Sequence, residues 1–280
     1  MVKCRCTNFA TNMAVQTCPG CGYSRLWKLR RDKRRCKRCR KEFSPRGASV
    51  PGLAADAPAL LGIALAFVVH RTVRRVASSA GLSAATAQKH CHRFRLAIAA
   101  EEREPFEGPA EVDETYIGAQ RKNQRLHIRK LYPPKRGHGT NKLPIIGVHD
   151  RATGTVRVEV MARKLDKGIV LAFVAKSVVP GARVFTDGFP YYRDLARLGY
   201  AHEWVDHNAR EYVRGDVHTN GIEGFWGFMK RRMGNIGGMR RDRLGLFATE
   251  LAWRYNVRML SDGEKADRLV SLTRKLGGND

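Results

Sequence analysis

The apolar positions of the chain change period along its length, and each change marks a predicted element. Residues 53–100 are rich in Ala, Leu and Val and read as helices. Within them, TVRRVASSAGLSAATAQKHCHRFRLAI (72–98) has the layout of a helix-turn-helix. A first helix ends near Ser79 or Ala80, Gly81 permits a tight turn, Leu82 anchors it, and Ser83 is a natural N-cap. From residue 110 the two periods take turns. AEVDETYIG (110–118) predicts a strand, and LPIIGVHD (143–150) with TVRVEVMA (155–162) predicts a hairpin turning at Thr153 and Gly154. DKGIVLAFVAKSV (166–178) has helical spacing at Ile169, Val170, Phe173 and Val174. ARVFTDG (182–188) predicts a strand, YYRDLARLG (191–199) a helix stopped by Gly199, and HEWVDH (202–207) a fifth strand. Two helices follow, at roughly 219–233 and 242–260. The order β, β, β, α, β, α, β, α, α predicts an α/β fold with a mixed sheet.

Composition turns this pattern into an expected domain plan: 1–52, 53–100, an acidic linker EEREPFEGP (101–109) with two prolines, a core at 110–262, and a polar tail at 263–280 with a short, fraying helix. The longest apolar run, Ala57 to Val69, is about 13 residues and falls short of the ~20 that cross a bilayer. Lys3 and Arg5 are not followed by an apolar stretch, so no secretory signal is expected. The seven cysteines are therefore expected in the cytoplasm, where metal ligation is a better default than disulfides.

Charge sets the class of partner. Lys+Arg 52 against Asp+Glu 26 gives 52 − 26 = +26, which favours a polyanion. The first 52 residues carry 14 Lys+Arg and two acids, a net of +12. RKNQRLHIRKLYPPKRGHGTNK (121–142) adds eight Lys+Arg and no acid, and predicts a functional loop. Arg30, Arg31, Arg34, Arg35, Lys37 and Arg38 are expected to hold DNA phosphates. In the second helix of the helix-turn-helix, Thr86, Gln88, Lys89, His92, Arg93 and Arg95 suit major-groove contact. His90 and His92 read as groove or surface residues rather than metal ligands, and Cys91 as core.

Cys18 and Cys21 are spaced C-x-x-C, and Cys36 and Cys39 repeat the spacing after fourteen residues. Two such knuckles supply a closed tetrahedral sulfur site, and metal binding would stabilise a segment too short to fold alone. The expectation is a zinc ribbon, against free thiols or a redox pair. Cys4 and Cys6 are spare ligands or part of a loose terminus.

Three acids stand out for their surroundings: Asp113 in EVDETYIG, Asp187 ending ARVFTDG, and Glu223 in HTNGIEGFWGFMKRR. Acids from two strands and a helix can converge on two divalent ions, which activate and stabilise oxygens in phosphodiester chemistry. Hard oxygen ligands favour Mg2+ or Mn2+. Spacing alone does not select these three among 26 acids. Their contexts do. VDETYIG, TDGF (186–189) and above all VHTNGIEGFWGFMKRRM (217–233) closely resemble the transposase domain of bacterial insertion sequences related to Merlin elements.

That resemblance covers about residues 15–262 and implies a DDE-type, ribonuclease-H-like core behind an N-terminal zinc ribbon. By it, Asp113, Asp187 and Glu223 are the catalytic, metal-holding acids, with 36 residues (223 − 187) between the last two. It implies a transposase of a mobile element, cutting and joining double-stranded DNA in recombination, working as a homodimer or larger assembly on bacterial nucleoid DNA. Some relatives use Asn as the third ligand, and Asn220 lies one turn before Glu223 on the same face. Asn220 and His218 are thus candidate helpers. Glu114 points to the opposite strand face and reads as structural. His202, His207 and His218 either position phosphate or are ordinary polar residues. Phe225, Trp226 and Phe228 read as packing, with base stacking the less favoured role. Lys230, Arg231 and Arg232, with Arg240, Arg241 and Arg243, extend the DNA track. The rival readings are a catalytically silent DNA-binding regulator and a nuclease on the same core.

Overall fold

The computed structural model describes residues 18, 21, 23–29, 34–40, 42–43, 57–118, 126–131, 142–161, 165–206, 209, 211, 213–234 and 241–277. These fall into two compact units. One takes the described residues up to His90 and those from Ala266 onward, and the other spans Cys91–Lys265.

The first unit begins with three short antiparallel strands, β1 (Leu26–Lys28), β2 (Arg34–Cys36) and β3 (Glu42–Phe43), in the order β1-β2-β3. Helices α1 (Ala57–Val69), α2 (Val73–Ser79) and the start of α3 (Ala84–Ala99) follow. The predicted turn is present. Gly81 takes φ +64°, and the Ser83 hydroxyl accepts from the Thr86 amide at 3.1 Å. The unit is completed by α8 (Asp262–Gly277), whose Ala266, Leu269 and Val270 are buried. Where the sequence predicts a short fraying helix, α8 is 16 residues long. Its acids start it and Arg274 and Lys275 end it, matching the helix dipole.

The second unit is built on a five-stranded mixed sheet in the order β6-β5-β4-β7-β8: β4 (Ala110–Ile117), β5 (Leu143–Asp150), β6 (Thr155–Val160), β7 (Arg183–Asp187) and β8 (Ala201–Val205). The first three are antiparallel neighbours, and β7 and β8 run parallel to β4. This is the ribonuclease-H arrangement of an α/β core. On one face, Ala110, Val112, Ile146, Val148 and Val184 pack against α5 (Lys167–Ser177) and a 3-10 helix, Pro190–Leu198. On the other, Ile145 and Val156 pack against α6 (Asn220–Gly234) and α7 (Leu244–Asn256). Buried residues of α6 fall at 222, 225, 226 and 229, the spacing of one helix face.

Several elements differ from the sequence pattern. Residues 191–199 were expected as an α-helix and form the 3-10 helix, with Pro190 at its start and Gly199 as its left-handed cap. The predicted 242–260 helix is a 3-10 turn, Arg241–Arg243, followed by the shorter α7. Within the basic loop 121–142, residues Leu126–Leu131 form a helical turn and a half, α4. His90 is buried rather than facing a groove. Arg95 is also buried, its Nε donating to Glu250 Oε2 at 2.6 Å, so it leaves the set of groove-reading residues. Arg254 donates to the other Glu250 oxygen at 2.8 Å, and such a charge tolerates burial because it is paired.

Candidate active site

Strand alternation decides which acids can meet. Glu111 lies beside Phe185 in the parallel β4–β7 pairing, so Asp113 and Asp187, two residues on, share one sheet face. That face is covered by α6. Asp113 stands opposite Gly147 in the antiparallel β4–β5 register. The missing side chain at Gly147 leaves room for the Trp226 indole: a Cβ there would lie 2.6 Å from Trp226 Cη2. Through that gap Trp226 Nε1 donates to Asp113 Oδ2 at 2.9 Å. Asp187 closes β7, and its Oδ1 accepts from the Phe189 amide at 3.1 Å. Phe225 and Trp226 are buried and Phe228 packs against them, as expected for packing roles.

The acids on these strands strain one another electrostatically. Burial, then the charges of Glu114 and Asp187, push the Asp113 carboxyl up to about 8. Burial also raises Glu114, to about 7, with Asp187 adding to the shift. Glu114 points to the α5 side, where the Tyr192 hydroxyl donates to its Oε2 at 2.7 Å. Asp113 and Asp187 are hard oxygen donors on one sheet face, the donor type that Mg2+ or Mn2+ takes.

Glu223 and Asn220 are both exposed on α6. Thr219 Oγ1 donates to Glu223 Oε1 at 2.8 Å. Among the described residues, only a cysteine group brings three or more such ligand atoms within 4.8 Å of one another. The oxygens of Asp113, Asp187 and Glu223 therefore do not converge on one point. Glu223 is tied to Asp113 indirectly, through Trp226 one turn further along the same helix.

The strand–helix junction holds a residue that sequence reading passed over. Glu111 is 1% exposed. Its Oε2 accepts from the Ile222 amide in the first turn of α6 at 2.9 Å, and its Oε1 accepts from Arg151 Nε at 2.6 Å. Arg151 also donates to the carbonyls of Asp216 and His218, at 2.7 and 2.8 Å, and lies over the Phe185 ring. Its Nη2 sits 2.9 Å from His218 Nδ1. Arginine can only donate, so that ring nitrogen is an acceptor, and its 3.5 Å approach to Glu111 is not an ion pair. His218 thus buttresses the start of α6. A signal was present in the sequence: Glu111 is an acid two residues from Asp113, on the same face of the strand.

His202 Nε2 lies 2.9 Å from the Thr186 hydroxyl, which donates to the Asp187 carbonyl. Burial holds His202 down at about 4, so it is neutral. His207, Arg30, Arg31, Arg240, Cys4 and Cys6 lie outside the described residues, as does the Arg241 side chain. Lys37, Arg38, Gln88, Lys89, Lys230 and Arg231 are exposed, and Arg34 and Arg93 half-buried. Two proposed phosphate contacts are already engaged. Arg35 Nε donates to Glu42 at 2.9 Å, and the Arg232 guanidinium covers the Phe228 ring at 3.5 Å.

Cys18, Cys21, Cys36 and Cys39 come together, with Cys18–Cys39 and Cys21–Cys36 sulfurs 3.5 and 3.6 Å apart. Zinc with bonds of about 2.3 Å sets tetrahedral sulfur edges of about 3.8 Å, so the four thiols fit the ion. Burial raises the Cys36 thiol, but the Cys39 and Arg38 amides and neighbouring thiols outweigh it and bring it to about 6.

No helix among the described residues is long and apolar enough to cross a membrane. The sequence pattern of the ISXO2-like transposase domain matches residues 105–256. An uncharacterized protein in transposable element ISH50 of Halobacterium salinarum is 30% identical over 219 residues, covering 75% of this chain and 73% of that protein.

Proposed function

Because the chain belongs to the ISXO2-like transposase domain family, we propose that it binds the ends of an insertion sequence and catalyses DNA strand cleavage and strand transfer, with Asp113, Asp187 and Glu223 as its metal-holding acids. The observation that carries this reading is that Asp113 and Asp187 share one sheet face, with Trp226 linking Asp113 to the helix of Glu223. When bound, Mg2+ or Mn2+ supplies neutralisation of the charge that builds on phosphate during in-line displacement. The chain's residues then divide the work. Asp113, Asp187 and Glu223 offer carboxylate oxygens. Trp226 fixes the Asp113 carboxylate by its N–H. Lys230 and Arg231, both about two turns beyond Glu223, offer charge to phosphates.

Water first attacks the phosphorus at the element end. The P–O3′ bond breaks and the released oxygen leaves as a 3′-hydroxyl. That hydroxyl oxygen then attacks a target phosphate, loses its proton, and displaces a target 3′-oxygen. No enzyme–DNA covalent bond forms. The zinc ribbon and the turn around Gly81 recognise the element ends, with the boundaries 1–52 and 53–100, and the core of 110–262 performs the chemistry. Bringing two ends together calls for two or more copies.

The test is Asp187→Ala assayed on DNA carrying the element ends, with magnesium or manganese. The expected result is joining reduced at least ~10²-fold with DNA binding kept. Unchanged joining would sink the assignment. Wild-type protein that binds and never cuts is a regulator, and one that cuts without joining is a nuclease. Comparing Glu223→Gln with Asn220→Ala assigns the third ligand: a near-normal Glu223→Gln enzyme transfers that role to Asn220.

A further inference from the structure

We infer that Glu111 is a positioning residue: its buried carboxylate fixes the first turn of α6 to β4 and so sets Glu223 against Asp113. The inference deepens the reading above and rests on Glu223 being the third acid.

The geometry is specific to this pair of elements. β4 carries Asp113, and two residues earlier on the same face it carries Glu111. One Glu111 oxygen takes the Ile222 N–H, the amide next to Glu223, at 2.9 Å. A helix start has amides with no intrahelical partner, and a carboxylate there is favoured by the helix dipole as well. The other oxygen takes Arg151 at 2.6 Å, which leaves the charge balanced although only 1% of the residue is exposed. Arg151 in turn grips the approach to the helix through the carbonyls of Asp216 and His218.

The packing tolerates no slack at this point. A Cβ on Gly221 would lie 2.5 Å from the His149 ring and 2.9 Å from Glu111 Oε2. The helix therefore sits as close to the strand as a glycine allows. Two hydrogen bonds thus tie α6 to the β4 face: Glu111 to Ile222 before Glu223, and Asp113 to Trp226 after it. With both ends of this turn pinned, the exposed carboxylate between them has a fixed origin. The cost of a displaced catalytic group is steep, since a shift of about 1 Å can lower a rate ~10²-fold.

An ordinary helix cap would explain the same contacts through stability alone, so the experiment separates the two. Single-turnover strand cleavage is measured with the full chain at saturating element-end DNA, at a temperature well below the melting of each variant. In parallel, the chain is labelled with 5-fluorotryptophan. Its four tryptophans give four fluorine resonances, and the Trp226 peak is the one lost in Trp226→Phe.

Glu111→Gln keeps the side-chain shape but cannot accept from both the Ile222 amide and Arg151. It is expected to slow cleavage about 10- to 100-fold, to leave DNA affinity within about twofold, and to move the Trp226 resonance in metal-free, DNA-free protein. A cleavage rate within twofold of wild type overturns the inference, even if the melting temperature falls. A slower rate with an unmoved Trp226 resonance overturns it too, because Glu111 would then act by another route. If Glu111→Gln does not fold, Gly221→Ala decides: its methyl presses on the His149 ring and Glu111 Oε2 and so loosens the Glu111–Ile222 contact while both Glu111 and Arg151 keep their chemistry. The same slowing and moved resonance support the role, and wild-type behaviour in both overturns it. Glu223→Gln cutting at the wild-type rate would instead sink the underlying site assignment. A silent Glu223→Gln beside a normal Glu111→Gln would remove only the positioning role.

Discussion

At the scale of single residues, the site is held by groups whose charge states are set by burial. His202 illustrates the consequence. Its ordinary value is 6.5 and burial holds it at about 4. The folded state therefore takes up a proton less readily than the unfolded chain. Stability is complete above pH 6.5 and declines as pH falls from 6.5 towards 4. The expected loss is on the order of 1 kcal/mol by pH 5, after discounting for partial exposure. His202→Gln keeps a donor for Thr186 and should flatten melting temperature between pH 7 and 5. An unchanged slope in that variant would show that other groups govern acid sensitivity. Asp113, Asp187 and Glu223 stand out in the sequence because their surroundings are distinctive strings. Glu111 and the indole N–H of Trp226 were harder to read, because their importance comes from a partner 111 or 113 positions away. Arg95 misled for the same reason: nothing near it in the chain announces Glu250, 155 residues on.

At the scale of elements, α6 meets the sheet at two glycines, Gly221 on the helix and Gly147 on β5. Each marks a close approach by a neighbouring group. Gly147→Ala would force a methyl into the Trp226 ring. Overpacking of this kind costs about 1–3 kcal/mol, so melting should fall by a few degrees. Strand cleavage should slow as well, because the Asp113 carboxylate loses its fixed donor. Trp226→Phe in the same protein should recover part of the lost stability, since the two changes share one space. Strictly additive losses would show that the methyl is accommodated elsewhere. The five strands and their order of helices were legible from alternation and spacing. The 3-10 character of Pro190–Leu198 was not, since apolar spacing over nine residues barely separates it from an α-helix. The helical turn Leu126–Leu131 was hidden by the prolines, glycines and charge around it.

At the scale of the whole molecule, the net charge of +26 has two kinds of setting. Some basic groups lie open, such as Lys89 and Lys230, and others, such as Arg95 and Arg151, are internal struts. The cysteine cluster adds a separate dependence. Removing zinc with a chelator should release one ion per chain and expose the amides of Leu26–Lys28 and Arg34–Cys36 to hydrogen exchange. The five-stranded sheet should keep its protection, and Cys36→Ser should mimic the chelator. A metal-free protein with those amides still protected would refute the ribbon. The helix α8 has a consequence for synthesis. The unit of β1–β3, α1 and α2 is closed by Ala266, Leu269 and Val270, which a ribosome delivers after the whole five-stranded sheet. A nascent chain therefore makes all five strands before that first unit can be finished. Translation that halts before α8 should leave the amides of α1 and α2 open to hydrogen exchange while those of the sheet stay protected.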